Sequence, residues 1–397
     1  MKILMLCDFF DEKLEYQENL LVKYYRKHGH DVTVVTSTFD SVFDYYADRH
    51  DNTLPSRTYQ HDGATIIKLR YRYNLLNRLR AFQRIDHILD DEVPDLIFVH
   101  DIMLNLPECI RYVRAHPHSR MILDYHADYS NSGKNALSLK VLHGMIRKWF
   151  LDRARPHLSR IFPIVPAGAT FLHEIYKVPH EEMEILPLGA DTDLAMSIRQ
   201  GSGRADLRRQ YGIPDDHTVI FTGGKLAPAK RTELLLKAAL SLPHLPIHLI
   251  VAGEAGEGDA AYEQMLYGLA AANPRVQMVG WLGREDIYRH LHMADLGVFP
   301  ASQSILWQQA IAMGLPLIVG DTGHQDIGYL NSKQNIVILD KSEIRADRIA
   351  QEIARVVEDP TRRRAMSEGA RQVADEHLNW DRLILRTLRF NHHSLAH

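Results

Sequence analysis

Cysteine and long apolar runs are both scarce in this sequence. Its 397 residues include two cysteines, Cys7 and Cys109, and each stands in apolar surroundings. We therefore expect two buried thiols in a reducing compartment rather than a disulfide framework. No apolar run is long enough to span a bilayer, and the run at the amino terminus is too short for a signal peptide. The expectation is a cytoplasmic protein that is not integral to the membrane.

An excess of charge of either sign is also missing. The formal net charge is −3 at pH 7 and the isoelectric point is about 6.8, so the composition gives no global reason to bind nucleic acid. We expect no nucleic-acid partner, and any basic surface must be local. A chain of 397 residues is too long for a single core, so two domains of similar size are expected. Apolar residues make up 45% of the chain, which is enough to fill two cores.

Short buried strands alternate with helical stretches along the first half of the chain. The strand at 3–7, the helix at 16–27 and the strand at 31–36 form a β-α-β unit, which implies parallel strands joined by a right-handed crossover. Further strands are predicted at 65–69, 96–100, 121–125, 161–165 and 184–188. This pattern predicts one doubly wound domain that closes near Asp193.

The same alternation restarts at Thr218. Strands are predicted at 218–221, 248–252, 277–279, 296–299, 316–319 and 335–339, and helices at 345–358, 361–375 and 380–389. The polar, arginine-rich stretch 196–211 is typical of a linker, and 196–203 is the expected hinge. The predicted fold is α/β, with two Rossmann-like doubly wound parallel-sheet domains facing across a cleft. Ligands of such sheets bind outside the carboxyl ends of the strands.

A glycine pair follows the strand at 218–221. Gly223 and Gly224 let the chain turn sharply and let a ligand approach the backbone. A helix is predicted to begin near Lys230 or Arg231, so that its free amides face the same crevice as the ammonium groups of Lys225 and Lys230. This arrangement predicts an anion site that could clamp a diphosphate and stabilise its departure. The alternative is an exposed loop with ordinary surface lysines.

Seven motifs, read together, carry a family resemblance. They are HGHDVTVVTS (28–37), DYHADY (124–129), EILPLGADTD (184–193), GGKLAPAK (223–230), VQMVGWL (276–282), ADLGVFPAS (294–302) and QQAIAMGLPLIVGD (308–321). In this order they resemble the family 4 glycosyltransferases of the GT-B architecture. The resemblance implies transfer of a sugar, with retention, from a nucleotide-diphosphate donor of the UDP or GDP type. It also implies an acceptor-side domain at 1–195, a donor-binding domain at 196–375 and a helix at 376–397 that crosses back to the first domain.

The resemblance assigns donor-side roles to residues of the second half. Gly224, Lys225 and Lys230 match the diphosphate-binding positions, with lysine in place of the family's arginine at 225. Base and ribose contacts are implied for Gly253, Glu254, Trp281, Leu282 and Gln309, and donor-sugar contacts for Ser302, Gln303 and Ser304. The alternative for Trp281 is a plain aromatic residue of the cleft wall.

Two carboxylates of the family pattern are absent. Gln309 stands where the family has the glutamate that holds the ribose, and the loop at 301–304 stands where the other glutamate approaches the donor sugar. A glutamine can hydrogen-bond a ribose hydroxyl but carries no charge. The alternative function is therefore a non-catalytic member that binds a nucleotide sugar or a partner. A nucleotide-sugar epimerase shares the architecture, but its catalytic carboxylates are not found here.

On the acceptor side, the resemblance makes His126 the catalytic residue, because it matches a histidine that contacts the transferred sugar. Tyr16 and Gln17 replace the family's glycine-rich loop. His100, Asp101 and Asp128 are further acceptor-side candidates, for which structural or loop-capping roles are equally compatible. The histidine pairs lack carboxylates or cysteines at ligand spacing, so neither a metal nor another cofactor is expected.

Two basic stretches, 68–84 and 134–150, are interleaved with apolar and aromatic side chains. Such a surface can lie on an anionic membrane, where a lipid-linked acceptor would be met. This pattern predicts peripheral contact at the inner face of the membrane, and the alternative is a solvated helix face. Together with the family resemblance, it predicts an enzyme of bacterial surface polysaccharide or glycoconjugate synthesis that acts on a glycan or lipid-linked acceptor.

Overall fold

The computed structural model describes residues 1–13, 16–39, 45, 54–75, 78–129, 131–132, 136, 138–256, 258–301, 304–323 and 326–389. The chain divides into unit 1, formed by Met1–Pro187 and Trp380–His397, and unit 2, formed by Leu188–Asn379. Among the described residues, none of the helices combines the length and the apolar character that a membrane span requires. Both cysteines are buried and carry free thiols.

Unit 1 contains both strands and helices. Its strands are β1 (Lys2–Leu6), β2 (Asp31–Ser37), β3 (Arg57–His61), β4 (Ala64–Leu69), β5 (Tyr71–Leu75), β6 (Leu79–Phe82), β7 (Leu96–His100), β8 (Arg120–Tyr125) and β9 (Arg160–Pro163). Its first helices are α1 (Gln17–Lys27), α2 (Asp86–Glu92), α3 (Leu106–Ala115), α4 (Lys148–Ala154) and α5 (Pro166–Tyr176). A π-helical segment, Ser138–Arg147, leads into α4, and 3-10 turns occupy Arg155–His157 and His180–Glu182.

Seven of these strands form one sheet in the order β3-β4-β2-β1-β7-β8-β9. All neighbours are parallel except the edge strand β3, which pairs antiparallel with β4. Strand β1 has four consecutive buried residues after Lys2, because helices cover both faces of a parallel sheet. Strands β5 and β6 form a separate antiparallel hairpin.

Unit 2 repeats the plan with a wholly parallel sheet in the order β12-β11-β10-β13-β14-β15. The strands are β10 (Thr218–Gly223), β11 (Ile247–Ala252), β12 (Val276–Gly280), β13 (Leu296–Phe299), β14 (Leu317–Gly320) and β15 (Ile336–Leu339). The helices are α6 (Thr192–Gln200), α7 (Gly203–Gln210), α8 (Thr232–Leu240), α9 (Ala260–Ala271), α10 (Arg284–Met293), α11 (Leu306–Ala312), α12 (Ala346–Val357) and α13 (Pro360–Val373). The 3-10 turns Pro228–Lys230 and Ile327–Leu330 and the π-helical segment Ala374–Leu378 complete it.

The final helix, α14 (Trp380–Leu388), belongs to unit 1. Its residues Trp380, Leu383 and Ile384 pack in the core cluster that also contains Leu20 and Leu21 of α1. The chain therefore leaves unit 1 after Pro187 and returns to it at Trp380.

Three sequence predictions about the fold are wrong. Residues 184–188 form no strand; the segment before them contributes only an isolated bridge between Met183 and Ile161. The predicted linker at 196–211 is largely helical, in α6 and α7. The helix after the glycine turn begins at Thr232, because the 3-10 turn Pro228–Lys230 and the left-handed Arg231 precede it.

The burial of α14 predicts a stability effect at Ile384, which is fully buried. Ile384→Ala should lower the free energy of unfolding of unit 1 by about 2–5 kcal/mol, because it removes apolar contacts and leaves a cavity. Urea unfolding followed by circular dichroism measures this loss. The matched control, Leu385→Ala, removes a side chain that is 42% exposed on the same helix and should cost about 0.5 kcal/mol or less. Equal losses in the two variants would contradict the packing of α14.

Candidate functional site

Three loops of unit 2 meet at one edge of its sheet. They follow β10, β11 and β12, which are adjacent and parallel, so their carboxyl ends lie side by side. The amide of Gly224 donates to Ala252 O at 3.1 Å, and the amide of Gly253 donates to Gly280 O at 2.7 Å. The amide of Leu226 donates to Glu254 O at 2.9 Å. The structure thus brings together loops that the sequence placed far apart.

Glycine is required where two of these loops touch. Gly224 and Gly253 have φ angles of +112° and +130°, a region that side chains disfavour. A Cβ atom on Gly253 would lie 1.9 Å from Gly224 O, so no other residue fits without moving the backbone. The contact leaves the backbone of both loops uncovered by side chains at these positions, as close approach of a ligand requires.

The two lysines of the glycine turn differ in their surroundings. Lys225 is exposed, and its Nζ lies 3.7 Å from Asp259 Oδ2. Lys230 ends the 3-10 turn before α8, and burial lowers the pKa of its ammonium group to about 8. A charge held in a poorly solvated position is stabilised when an anion binds beside it. A phosphate bound beside Lys230 would therefore stabilise the charged form of its ammonium group.

Four of the base and ribose candidates, Gly253, Glu254, Trp281 and Leu282, belong to the same loops. Glu254 Oε1 accepts a hydrogen bond from the amide of Trp281 at 3.3 Å. The Trp281 side chain is 56% exposed, whereas the adjacent Leu282 packs against the core of unit 2. Gln309 is buried on α11, whose seven residues are all buried. Because the two family glutamates are absent, Glu254 is the only acidic residue among the base and ribose candidates.

The donor-sugar loop is described only in part. Ser304 Oγ accepts a hydrogen bond from the amide of Leu306 at 3.3 Å and lies 3.8 Å from the position that a Cβ atom on Gly224 would occupy. Ser304 therefore lies beside the glycine turn, and its contact with the donor sugar stays a prediction. Ser302 and Gln303 lie outside the described residues.

A second group of polar side chains gathers in unit 1, where β7 and β8 end. The parallel register places His100 opposite Asp124. Asp124 Oδ2 lies 3.0 Å from His126 Nε2 and 3.2 Å from His100 Nδ1, and His100 Nε2 lies 3.2 Å from Glu18 Oε1. The two imidazole rings have their centroids 4.0 Å apart. We call these four residues, Glu18, His100, Asp124 and His126, the histidine–carboxylate cluster.

Charges within this cluster compensate one another. Burial by itself would raise the pKa of Asp124, but the imidazoles of His100 and His126 hold it well below its ordinary value. Burial opposes the charged form of His100, and the carboxylates of Asp124 and Glu18 outweigh this effect and raise its pKa to about 10. Asp124 is therefore ionised and His100 protonated at neutral pH.

The other acceptor-side candidates have local structural contacts. Asp101 adopts a left-handed conformation, and its Oδ1 accepts from the amide of Ile102 at 2.7 Å. Asp128 Oδ1 accepts from the amide of Asn131 at 3.1 Å, so both aspartates cap loops. Tyr16 precedes α1, and Gln17, which is 4% exposed, has an amide group with no hydrogen-bond partner among the described residues. Among Tyr16, Gln17, Asp101 and Asp128, Gln17 is therefore the candidate whose buried amide could still hydrogen-bond a ligand.

Sequence analysis missed two members of the cluster, Asp124 and Glu18. A signal for Asp124 was available, because residues i and i+2 at the end of a strand point to the same face, as Asp124 and His126 do. Glu18 comes from α1, and no local spacing connects it to β7 or β8. Its position depends on the packing of α1 against the sheet.

The expectation that no metal binds was based on spacing within single segments. In space, His100, Asp124 and His126 offer ligand atoms that all lie within 4.8 Å of one another. Both ring nitrogens of His100 lie near carboxylates, however, at 3.2 Å from Asp124 and 3.2 Å from Glu18. Protonation of the imidazole accounts for this arrangement. Metal independence stays a prediction.

Comparison with known families identifies the class of protein. Residues 203–373 match the family described as glycosyl transferases group 1, and residues 19–194 match the family described as glycosyltransferase family 4. Each match falls mainly in one of the two units. The chain belongs to the family 4, group 1 glycosyltransferases, as the sequence motifs predicted.

Characterised relatives are distant. A GDP-mannose-dependent alpha-(1-6)-phosphatidylinositol monomannoside mannosyltransferase of Mycobacterium tuberculosis is 26% identical over 225 residues, which are 53% of this chain and 56% of the relative. The alpha-D-kanosaminyltransferase of Streptomyces kanamyceticus is 26% identical over 230 residues, which are 57% of this chain and 58% of the relative. The chain thus spans little more than half the length of these curated relatives.

Solved structures confirm the predicted fold class. HepE from Anabaena, crystallised with UDP, has a TM-score of 0.70 at 17% identity, covering 98% of this chain and 99% of that one. Sucrose-phosphate synthase from Thermosynechococcus elongatus has a TM-score of 0.68 at 16% identity, covering 97% of each chain. At these identities the likeness establishes the two-domain GT-B fold alone.

The cluster predicts a pH-dependent stability of unit 1. His100 has a pKa of about 10 in the folded chain and an ordinary value of 6.5. Its contribution to the free energy of unfolding is therefore complete below pH 6.5 and is lost as the pH rises through 10. His100→Asn should remove this dependence, a difference of roughly 5 kcal/mol between the two limits. Urea unfolding over this pH range measures it. His118→Asn, an exposed site of the same unit, is the control and should keep the native slope. Parallel slopes for the native chain and His100→Asn would refute the assignment.

Proposed function

We propose that this chain is a retaining glycosyltransferase that transfers a sugar from a nucleoside diphosphate to an acceptor hydroxyl. The observation that carries the proposal is the meeting of three unit 2 loops around Gly224 and Gly253, where the loop after β10 also carries Lys225 and Lys230. Cations at the carboxyl ends of parallel strands, where glycines let a ligand approach the backbone closely, are suited to a diphosphate. Membership in the family 4 glycosyltransferases supports the reaction class.

Lys225 and Lys230 would bind the diphosphate and stabilise the negative charge that develops as it leaves. The acceptor oxygen would form its bond to the anomeric carbon on the face from which the diphosphate departs, and a diphosphate oxygen would take the acceptor proton. Such a step needs no protein nucleophile, and positive side chains replace a metal. His126 would contact the transferred sugar, with Asp124 Oδ2, 3.0 Å from its Nε2, holding the ring in place.

The donor is proposed to be a UDP or GDP sugar. The mycobacterial relative is named for its dependence on GDP-mannose, and HepE was crystallised with UDP, so the comparisons allow either base. Gln309 would hydrogen-bond the ribose without the charge of the family's glutamate. The second candidate function is a non-catalytic nucleotide-sugar or partner-binding protein, because both donor-site glutamates are absent.

Calorimetric titration with UDP, GDP, ADP and dTDP tests the donor site. We expect one nucleotide to bind, and Lys230→Ala to weaken it about tenfold or more, because the substitution removes a charge-assisted contact to phosphate. Lys237→Ala is the matched control, since Lys237 is exposed on the adjoining helix α8. Equal affinities for the native chain and Lys230→Ala would exclude the assigned diphosphate site.

Turnover separates the two candidate functions. A transferase supplied with the sugar form of the nucleotide that binds will release nucleoside diphosphate over time when an acceptor is present, or slowly to water. Binding without such release would favour the non-catalytic function.

We further propose that unit 1 contacts anionic membranes peripherally, at the inner face, where a lipid-linked glycan acceptor for surface polysaccharide or glycoconjugate synthesis would lie. Apolar side chains are exposed in both predicted stretches: Leu75 by 59% on the β5–β6 hairpin, and Met145 by 65% on the π-helical segment. Arg147 Nη2 donates to Arg78 O at 3.3 Å, which joins the stretches into one surface. Exposed Trp149 extends it.

This surface is smaller than the predicted stretches 68–84 and 134–150. Lys68 is buried at the end of β4, and Arg80 forms an ion pair with Asp8 at 2.5 Å, so neither faces a membrane. The first stretch is a hairpin rather than a helix face. Lys134 lies outside the described residues.

Flotation with liposomes tests the membrane proposal. We expect more protein to float with anionic than with neutral vesicles, and the double variant Met145→Ser, Trp149→Ser to lose most of this binding, because it removes the apolar anchors. Met196→Ser, an exposed methionine of unit 2, is the control. No difference between anionic and neutral vesicles would refute the proposal.

A further inference from the structure

A cavity of about 520 Å³ lies in unit 2 at the edge of the sheet opposite to the donor loops. Its lining residues His292, Ala294 and Asp295 precede β13, and its lining residues 313–316 precede β14, whereas the donor loops follow β10, β11 and β12. All these strands are parallel, so the two sites lie at opposite ends of them. The cavity is therefore separate from the candidate donor site.

Positive charge dominates the lining of this cavity. Its charged and titratable residues are Arg199, Arg204, Arg363, Arg364, Arg371, His292 and Asp295. The carboxylate of Asp295 is already fully engaged: Oδ1 lies 2.6 Å from Arg204 Nη2, and Oδ2 lies 2.9 Å from Arg208 Nη2. Oδ2 also accepts from the amide of Val219 at 2.8 Å. Asp295 is the one carboxylate of the lining, so the lining offers no further carboxylate to its other arginines.

Three of these arginines, Arg199, Arg364 and Arg371, make no side-chain hydrogen bond or ion pair with any residue in the described parts of the chain. Arg371 is nevertheless held in place. Gly314 has a φ of +78°, and a Cβ atom there would lie 3.0 Å from both Cγ and Nε of Arg371, so the arginine stem packs on this glycine. Ser367 Oγ donates to Gly314 O at 2.7 Å and fixes the same turn.

The cations are close enough to repel one another. Burial lowers the pKa of Arg199, and the charge of Arg371 lowers it further. Burial likewise lowers the pKa of His292, and the charges of Arg204 and Arg199 add to this effect. A cluster of like charges around a cavity stores unfavourable electrostatic energy that a bound anion would relieve.

We propose that this arginine-lined cavity binds a small phosphorylated ligand and so gives unit 2 a second anion site, independent of the donor site. Guanidinium groups match phosphate oxygens in a planar, two-bond geometry, which makes arginine suited to phosphoryl groups. An adjoining cavity of about 450 Å³ shares Arg199 and Arg371 and includes the apolar side chains of Ala195, Met196 and Ala312. It provides room for the part of the ligand that carries the phosphate.

Phosphoryl groups occur on inorganic phosphates, sugars and nucleotides, and direct titration distinguishes these classes of ligand. Inorganic pyrophosphate, glucose 6-phosphate and UMP are titrated by calorimetry into the full chain carrying Lys230→Ala, so that the donor diphosphate site contributes less to the signal. We expect binding of at least one probe, weakened about tenfold by either Arg199→Gln or Arg364→Gln and weakened by added salt. Both arginines lie on helix surfaces without side-chain partners in the described parts of the chain, so these substitutions should leave the fold intact.

Arg209→Gln is the matched control, because Arg209 is an exposed arginine of the same unit that does not line the cavity. Tighter binding of glucose 6-phosphate or UMP than of pyrophosphate would support the proposal and assign the adjoining cavity to the rest of the ligand. Absence of binding by all three probes at millimolar concentration would overturn the proposal. Equal weakening by Arg209→Gln and the two cavity variants would overturn it as well, since it would show only general attraction of anions.

Discussion

Parallel pairing of strands that are buried on both faces determines where polar chemistry can occur in this protein. Strand β10 has five buried residues in succession, and all six residues of β11 are buried, so neither strand can carry a charged side chain at its centre. Polar residues are therefore displaced to the strand ends. The register then brings distant residues together, such as His100 with Asp124 and Gly223 with Ala252.

The two units use these strand ends in different ways. In unit 1 the charges are balanced internally, because His100 lies between Asp124 and Glu18. In unit 2 the arginines around the opposite cavity outnumber its one carboxylate. A balanced group is stable without a ligand and suits the positioning of a neutral sugar hydroxyl. An unbalanced group gains stability only when an anion binds.

The sequence predicted the fold class and most strands, because apolar runs of four to six residues flanked by turns are local signals. It failed where the signal was weak. Strand β3, with the sequence RTYQH, is polar because it lies at an edge of the sheet and is only partly covered. Helix α7, GRADLRRQ, resembles a linker in composition, since Leu207 and Arg208 are its main contacts with the core.

The candidate sites show the same limit. The candidate donor residues 223–230 could be proposed from the sequence because the glycine turn and its lysines are adjacent along the chain. The histidine–carboxylate cluster was found only in part, because it combines residues from α1, β7 and the segment that begins in β8. The arginine cavity had no sequence signal, since its cations come from α6, α7 and α13 and each of them resembles an ordinary exposed residue. Tertiary packing supplies these juxtapositions.

The absence of the donor-site glutamates has a consequence for how a nucleotide sugar would be held. Every residue of α11 is buried, including Gln308 and Gln309, so a glutamate at 309 would place a charge in a poorly solvated position. Glutamine avoids that cost and gives up the charge-assisted hydrogen bond to the ribose. On the proposed function, the diphosphate contacts of Lys225 and Lys230 would then supply a larger share of donor affinity. Discrimination between nucleotides would depend on the base loop at Trp281 rather than on the ribose.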